Sequence, residues 1–396
     1  MKGLFKYLSP FAPDQSGAVS VLYELGGIII VTDAGGCTGN ICGFDEPRWF
    51  TKSSAIYSAG LRDMDAILGR DEKLIEKLGG AVETTDANFI ALIGTPVPAV
   101  IATDYKAICA LSEKEYGIPT IYIETYGIDT YEQGQIKAYK AILNLLEKGK
   151  LEIRNGSELT PAGKLVEKLE QKRPSVPEVG IWGATPLDLP AMDSVDMLRE
   201  RLLASGHKSV ACFGMGGGLP EFLNADSTSL NYVVSPSGLV PARALEKKYG
   251  IPYKTGFVLD KQPIVVQAAD MTFGLMEQLY GIKMLIVHQQ VFANAIRDLI
   301  LMLHPSLGDG LHVASFFEMD EELMQENDFR AESEEEFIKE VKSRGYALVF
   351  CDPVIQRALK DSGAGLINLP HYAVSGSMYA EDMDSFYFRD LVGNII

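Results

Sequence analysis

"GGIIIVTDAGGCTGNICGFDEPRW", Gly26 to Trp49, runs from a continuous apolar stretch into a glycine-rich turn holding two cysteines five residues apart. The apolar part does not alternate, the habit of a parallel strand covered on both faces. In such sheets ligands gather beyond the carboxyl ends of the strands, so the turn after this one is a place to look for chemistry. The same grammar recurs downstream. "FIALIGT" (89–95) and "PTIYIET" (119–125) read as buried strands, with helical periods in "TDYKAICALSEKEYG" and "YEQGQIKAYKAILNLLEKG". Asp104 is placed to cap the first helix, and Gly117 and Gly149 to stop the two.

The charged segment "EKLEQKRPSVPEVG" (167–180), with two prolines, reads as a linker. After it "VGIWG", "KSVACFG" and "LNYVVS" restart the pattern, and "KMLIVHQQVFANAIRDLILMLH" (283–304) starts it a third time, ahead of "GLHVASFF", "YALVFCD" and "GLINLP". Three successive βαβ blocks predict an α/β chain of three Rossmann-like domains, with parallel sheets around a central cleft. Their expected bounds are 1–172, 173–281 and 282–396. The acidic stretch around Glu318–Glu336 reads as a solvated loop and helix face.

The bulk properties narrow the function. A chain of 396 residues suits two or three domains. The formal net charge of -17 argues against nucleic acid and anionic membranes as partners, because both select basic surfaces. No apolar run approaches the roughly 20 residues that cross a bilayer. "MKGLFKYLSPFAPDQSG" lacks the continuous apolar core and small-residue cleavage site of a signal peptide. The five scattered cysteines do not form a disulfide framework. A soluble protein of the reducing cytoplasm is expected.

Thiolates hold iron or zinc where the backbone can fold closely round the metal, and Gly35, Gly36, Gly39 and Gly43 surround Cys37 and Cys42. A 4Fe–4S cluster normally takes four protein ligands. One chain offers two here, and a twofold dimer with this turn on its axis would offer four. The other reading is two small free thiols packed in a bend.

At this turn the chain begins to resemble component 1 of nitrogenase and its relatives, the cofactor-assembly scaffold and the dark-operative protochlorophyllide, chlorophyllide and nickel-tetrapyrrole reductases. "TDAGGC", ending at Cys37, is similar to the family's strand and "G-x-x-G-C" turn. "SSAIYSAGLRDMDAILGRDEKLIEKL" resembles its aspartate and "G-G-x-x-K-L" helix, through Asp65, Gly69 and Leu74. "IGTPVPAVIATDYKAI" resembles its "T-C-P" and acidic stretch, with Thr95 before Pro96 and Asp104 beyond. "EKEYGIPTIYIETYG", "LNYVVSPSGLVPARALEKKYGIPY" and "LPHYAVSGSMYAEDMDSFYFRDL" extend the likeness over nearly the whole chain.

The resemblance implies a cluster at a subunit interface on Cys37. With the extra Cys42 standing in for the missing family cysteines, the expectation is one 4Fe–4S cluster held by Cys37 and Cys42 of a homodimer or of a heterodimer with a related subunit. The resemblance also implies an ATP-dependent, iron-protein-like reductase as electron donor, and a substrate or second metallocofactor in the cleft. The departures matter. Thr95 stands where the family has its third cluster cysteine, and Asp14, Gln15 and Ser16 where it has its earliest. Ser235 stands near the cysteine that anchors the nitrogenase cofactor, and His371 near that cofactor's other ligand. A conventional dinitrogen reductase is therefore not expected. A substrate bound directly, as in the tetrapyrrole-reducing relatives, fits better, with His371 as the candidate catalytic residue. A non-catalytic metallocluster scaffold or carrier is the alternative, and a metal-free binding module a third.

The remaining candidates are weaker. "GMGGGLP" (214–220) lacks the lysine of a P-loop, so Gly216 and Gly217 are expected to let the backbone approach a ligand or a neighbouring domain. Cys109, Cys212 and Cys351 read as core residues. His288 ends a strand and could face the cleft, while His304 and His312 have no ligand partner at recognisable spacing. Arg48 and Trp49 are placed to shape the surround of a cluster or to meet a partner subunit.

Overall fold

The computed structural model describes residues 5–62, 71–96, 98, 103–151, 176–189, 191–257, 281–303 and 305–379. Asp65, Gly69, His304, the boundary at 172/173 and most of the expected linker lie outside these residues.

Each apolar run becomes a parallel strand. In the first sheet β1 (Ile28–Val31), β2 (Ile56–Ser58), β3 (Ile90–Ile93) and β4 (Thr120–Ile123) lie in the order β2-β1-β3-β4. The second holds β5 (Val179–Trp182), β6 (Val210–Cys212), β7 (Leu230–Val233) and β8 (Tyr253–Thr255), ordered β6-β5-β7-β8. The third holds β9 (Met284–Val287), β10 (Leu311–Ser315), β11 (Phe329–Arg330), β12 (Leu348–Cys351) and β13 (Gly365–Asn368), ordered β11-β10-β9-β12-β13. Every pairing is parallel, with Ile29 opposite both Ile56 and Ala91 in the first sheet. The strands β1, β3, β5 and β9 are buried at every position, as non-alternating runs require. These are three Rossmann-like units. β2, β8 and β11, of two or three residues each, carry too little pattern to be read from sequence.

The principal helices are α1 (Asp14–Leu22), α2 (Gly36–Asn40), α3 (Asp71–Thr84), α4 (Tyr105–Tyr116), α5 (Tyr131–Glu147), α6 (Ser194–Ala204), α7 (Pro236–Tyr249), α8 (Gln290–Leu303), α9 (Glu334–Arg344) and α10 (Tyr372–Ser375). Asp104 caps α4 through the Ala107 amide, and Gly117 ends it in a left-handed turn. Among the described residues no helix is long and apolar enough to cross a membrane.

In each sheet the chain first winds to one side of β1, β5 or β9 and later returns on the other. The switch points therefore fall after β1 and β3, β5 and β7, and β9 and β12, where open α/β sheets take ligands.

The acidic stretch is only partly a solvated face. Asp328 is buried and pairs with the buried Arg297 of α8 through both carboxylate oxygens, at 2.7 and 2.8 Å. Glu334 is buried too and accepts the backbone N–H groups of Lys6, Tyr7 and Leu8 at 2.9–3.2 Å. Glu334 ties the N-terminal segment to the third unit and Asp328 holds α8 against β10 within it, while Glu321, Glu322 and Glu326 stay exposed.

Candidate cluster turn and inter-domain junction

The loops after β1 and β3 are tied together. Thr32 Oγ1 donates to Ile93 O at 2.7 Å, and Thr95 Oγ1 donates to Thr32 O at 2.9 Å. The hydroxyl at position 95 thus serves as a structural tie. Asp33 accepts from Thr38 N at 2.7 Å and from the hydroxyls of Thr38 and Ser58, which fixes the start of α2. Cys37 lies half-buried in α2. A five-residue π-turn, Ile41–Asp45, follows and carries Cys42 into the core beside Ile41, with 8% of its surface exposed.

A Cβ built on Gly35, Gly36, Gly39 or Gly43 meets nothing within 4 Å. The outer face of the turn is therefore bare backbone, and Gly35 needs its glycine for φ of 120°. Burial and Asp33 raise the Cys37 thiol, and burial, Glu46 and Asp33 push Cys42 up to about 11. Both are thiols without a metal, so cluster binding has to displace protons.

Among the described residues no three His, Cys, Asp or Glu stand close enough to hold a metal. The glycine face leaves the turn open to a thiolate donor set. Cys37 fits that donor set directly. Cys42, turned into the core, fits it less well.

Arg48, expected in the cluster surround or at a partner, is a buried strut. It donates to Glu46 at 2.6 and 2.7 Å, to Glu24 at 3.0 Å and to Ser20 O at 2.7 Å, and lies 4.4 Å over the Tyr23 ring. Trp49 packs against the same core.

A second constellation forms where the second and third units meet. His371, 1% exposed, donates from Nε2 to Leu187 O at 2.9 Å and from its backbone N to Asp352 at 2.8 Å. Its ring stacks on His288 at 3.8 Å. Gln289 Nε2 closes the junction by donating to Val234 O at 2.8 Å. Ser235, fully buried, donates from Oγ to Gly183 O at 2.8 Å and lies 3.0 Å from Ser237 Oγ. Ser235 and His371 are thus both hydrogen-bonded to the loop that follows β5. With its proton on Nε2, a neutral His371 keeps its lone pair on Nδ1.

Gly216 and Gly217 make close packing contacts. The Gly216 amide donates to Glu24 of the first unit at 3.1 Å, and a Cβ on Gly217 would lie 1.8 Å from Cys212 O. The first is an approach to a neighbouring domain and the second a fold back onto β6. Cys212 and Cys351 are buried core residues, and Cys109 packs partly buried against the core of the first unit. His312 is engaged with Tyr346 and Asp309 O.

Burial lowers His371 to about 3 and lowers His288 as well, with His371 itself the second cause for the latter. An unfolded histidine takes its proton near 6.5. The stability the neutral His371 ring contributes is therefore complete above about pH 6.5 and is lost as pH falls towards 3, at about 1.4 kcal/mol per unit, and His288 acts in the same direction. Asp45, Asp188 and Asp352, each raised to about 6 mainly by burial, act oppositely and add stability as pH falls from 6 to near 4. His371→Gln is expected to flatten the acid limb of a urea-unfolding series below about pH 4. An unchanged slope there would contradict a neutral, desolvated ring.

Residues 15–319 match the family profile of nitrogenase component 1 type oxidoreductases. The chain belongs to that family. It is 26% identical over 238 residues to the nitrogenase iron-molybdenum cofactor biosynthesis protein NifE of Clostridium pasteurianum, covering 59% of this chain and 47% of that protein. The chain thus spans about half the length of this curated relative. Two solved structures share the fold. Nitrogenase Cp1 at pH 6.5 matches with a TM-score of 0.63 and 13% identity over 100% of this chain and 94% of that one. Nitrogenase Cp1 at pH 5 matches with a TM-score of 0.65 and 16% identity over 100% and 90%.

For this nitrogenase-like chain, sequence reasoning singled out His288 but missed Gln289, Asp188 and Glu132 at the junction. Looking at every loop after a strand would have found Asp188 and Gln289. Glu132, on a helix, carried no signal.

Proposed function

We propose that this chain is a component 1-like subunit that carries a 4Fe–4S cluster between two chains, on Cys37 and Cys42 of each. In this reading a homodimer or a heterodimer with a related subunit accepts electrons from an ATP-dependent, iron-protein-like reductase. It passes them to a substrate or second metallocofactor at the junction of Ser235 and His371. The observation that carries the reading is Cys37 on a bare glycine face at the switch point of the first sheet.

When bound, a cluster there supplies one-electron transfer. Asp33 and the Arg48 strut hold the turn in place, and the apolar core beneath it excludes water. At the junction His371 is a neutral donor fixed by Leu187 O, and Ser235 offers a hydroxyl where a thiolate would bind iron far better. That difference supports a substrate other than dinitrogen, with a tetrapyrrole-like molecule as one candidate.

The likeness to a cofactor biosynthesis protein favours a second reading, a scaffold that holds a metallocluster for transfer without substrate turnover.

Iron and acid-labile sulfide on anaerobically purified protein test the proposal. About two irons and two sulfides per chain are expected, falling to near zero in Cys37→Ala. The buried Cys42 makes Cys42→Ala the sharper variant, since retained iron would assign its place to another ligand. Iron-free protein after reconstitution would sink both readings. Substrate reduction with a reductase would separate the enzyme from the scaffold, which would instead release its cluster to an acceptor.

A further inference from the structure

Helix α5 brings Tyr131, Glu132 and Gln135, each fully buried, to the place where the three units meet. Two buried carboxyls lie there in opposite surroundings. Asp188 Oδ2 accepts from Thr185 Oγ1 at 2.6 Å and from Gln135 Nε2 at 2.7 Å, and its Oδ1 from Tyr131 OH at 3.1 Å. Glu132 Oε2 accepts only the Glu318 amide, and Oε1 has no partner. Among the described residues neither carboxyl forms an ion pair with Lys or Arg. The charged groups facing Glu132 are Asp188, Glu318 and Arg330, and Arg330 is itself paired with Glu318 at 2.9 Å.

A carboxylate out of water and without a cation persists only where hydrogen bonds replace its hydration. Asp188 has three such donors. Glu132 has one. Two titratable groups whose surroundings push their affinities apart form an acid and a base.

We infer that Glu132 is a protonated internal acid and Asp188 its ionised counterpart, a proton-transfer pair that answers negative charge arriving at the junction. Were a one-electron acceptor reduced at the junction, an O–H bond would break on Glu132 and one would form on Asp188, one proton moving with no net uptake. The use of the pair rests on the electron-relay reading, but its protonation state does not. Burial raises Asp188 to about 6 and holds Glu132 well above the ordinary carboxylate range, in the same direction.

The test uses full-length protein as purified, with carbon-13 at the side-chain carboxyls, titrated by NMR between about pH 5 and 8. The resonance missing in Asp188→Asn should titrate near 6, and the one missing in Glu132→Gln should stay that of a protonated acid throughout. Because glutamine matches a neutral acid, the Asp188 midpoint should not move in Glu132→Gln. A downward shift would reveal a lost negative charge and overturn the inference. Should Glu132→Gln fail to fold, infrared spectroscopy of wild type at about pH 8 decides. A protonated carboxyl carbonyl band supports the pair, and its absence refutes it. Neither readout depends on iron, so failure here is distinct from failure of the cluster proposal.

Discussion

Arg48→Met is expected to lower the unfolding free energy by about 3–5 kcal/mol, the usual cost of removing one partner from a buried ion pair. The guanidinium shows 3% of its surface, Glu46 2% and Glu24 5%. Removing it leaves Glu46 desolvated with no cation, while Glu24 keeps only the exposed Lys52 at 2.5 Å. Arg48 also joins α1, through Ser20 O, to the turn that follows Cys42. The variant should therefore expose Cys42 to alkylation faster than wild type as well as unfold at lower urea. A loss below about 1 kcal/mol would mean that the pair is solvated, as surface ion pairs are.

Gly134→Ala should be as damaging. A Cβ there would lie 1.6 Å from Asp14 O and 2.9 Å from Ala18 N, both backbone atoms that no rotamer change can move. Gly17 faces the same contact, its Cβ falling 1.8 Å from Tyr131 O. Either alanine must part α1 from α5, and the expected cost lies at or above about 3 kcal/mol, the upper end for overpacking. The double variant should cost less than the sum, because the first alanine already opens the contact the second would block. Strict additivity in urea unfolding would show that the helices do not share one contact. Because α5 also carries Tyr131, Glu132 and Gln135, the midpoint of Asp188 should move in Gly134→Ala.

Much of this was legible in the residues alone. Runs such as "IIIV" and "IALI" are apolar at every position because both faces of a parallel strand are covered, so the strands and the three-unit plan follow from local pattern. The order of loose motifs from Cys37 to His371 marked the family. Charge was read less well, because the burial of a charged group depends on partners far away in the chain. Glu334 meets Leu8 across 326 positions, and no local pattern separates it from the exposed Glu335 beside it. Arg48, Asp328, Glu132 and Asp188 were likewise placed by packing.

The sequence by itself determined the strands, the parallel sheets and the presence of two thiols in a glycine turn, because these depend on side-chain size, polarity and backbone freedom within a few residues. Only the tertiary structure decided that Cys37 stays near the surface while the π-turn carries Cys42 inward. It also decided that Gly216 serves a domain contact, and that two carboxyls share the buried junction with His371. Those outcomes depend on which distant groups arrive to replace water, and desolvation is a property of the assembled fold.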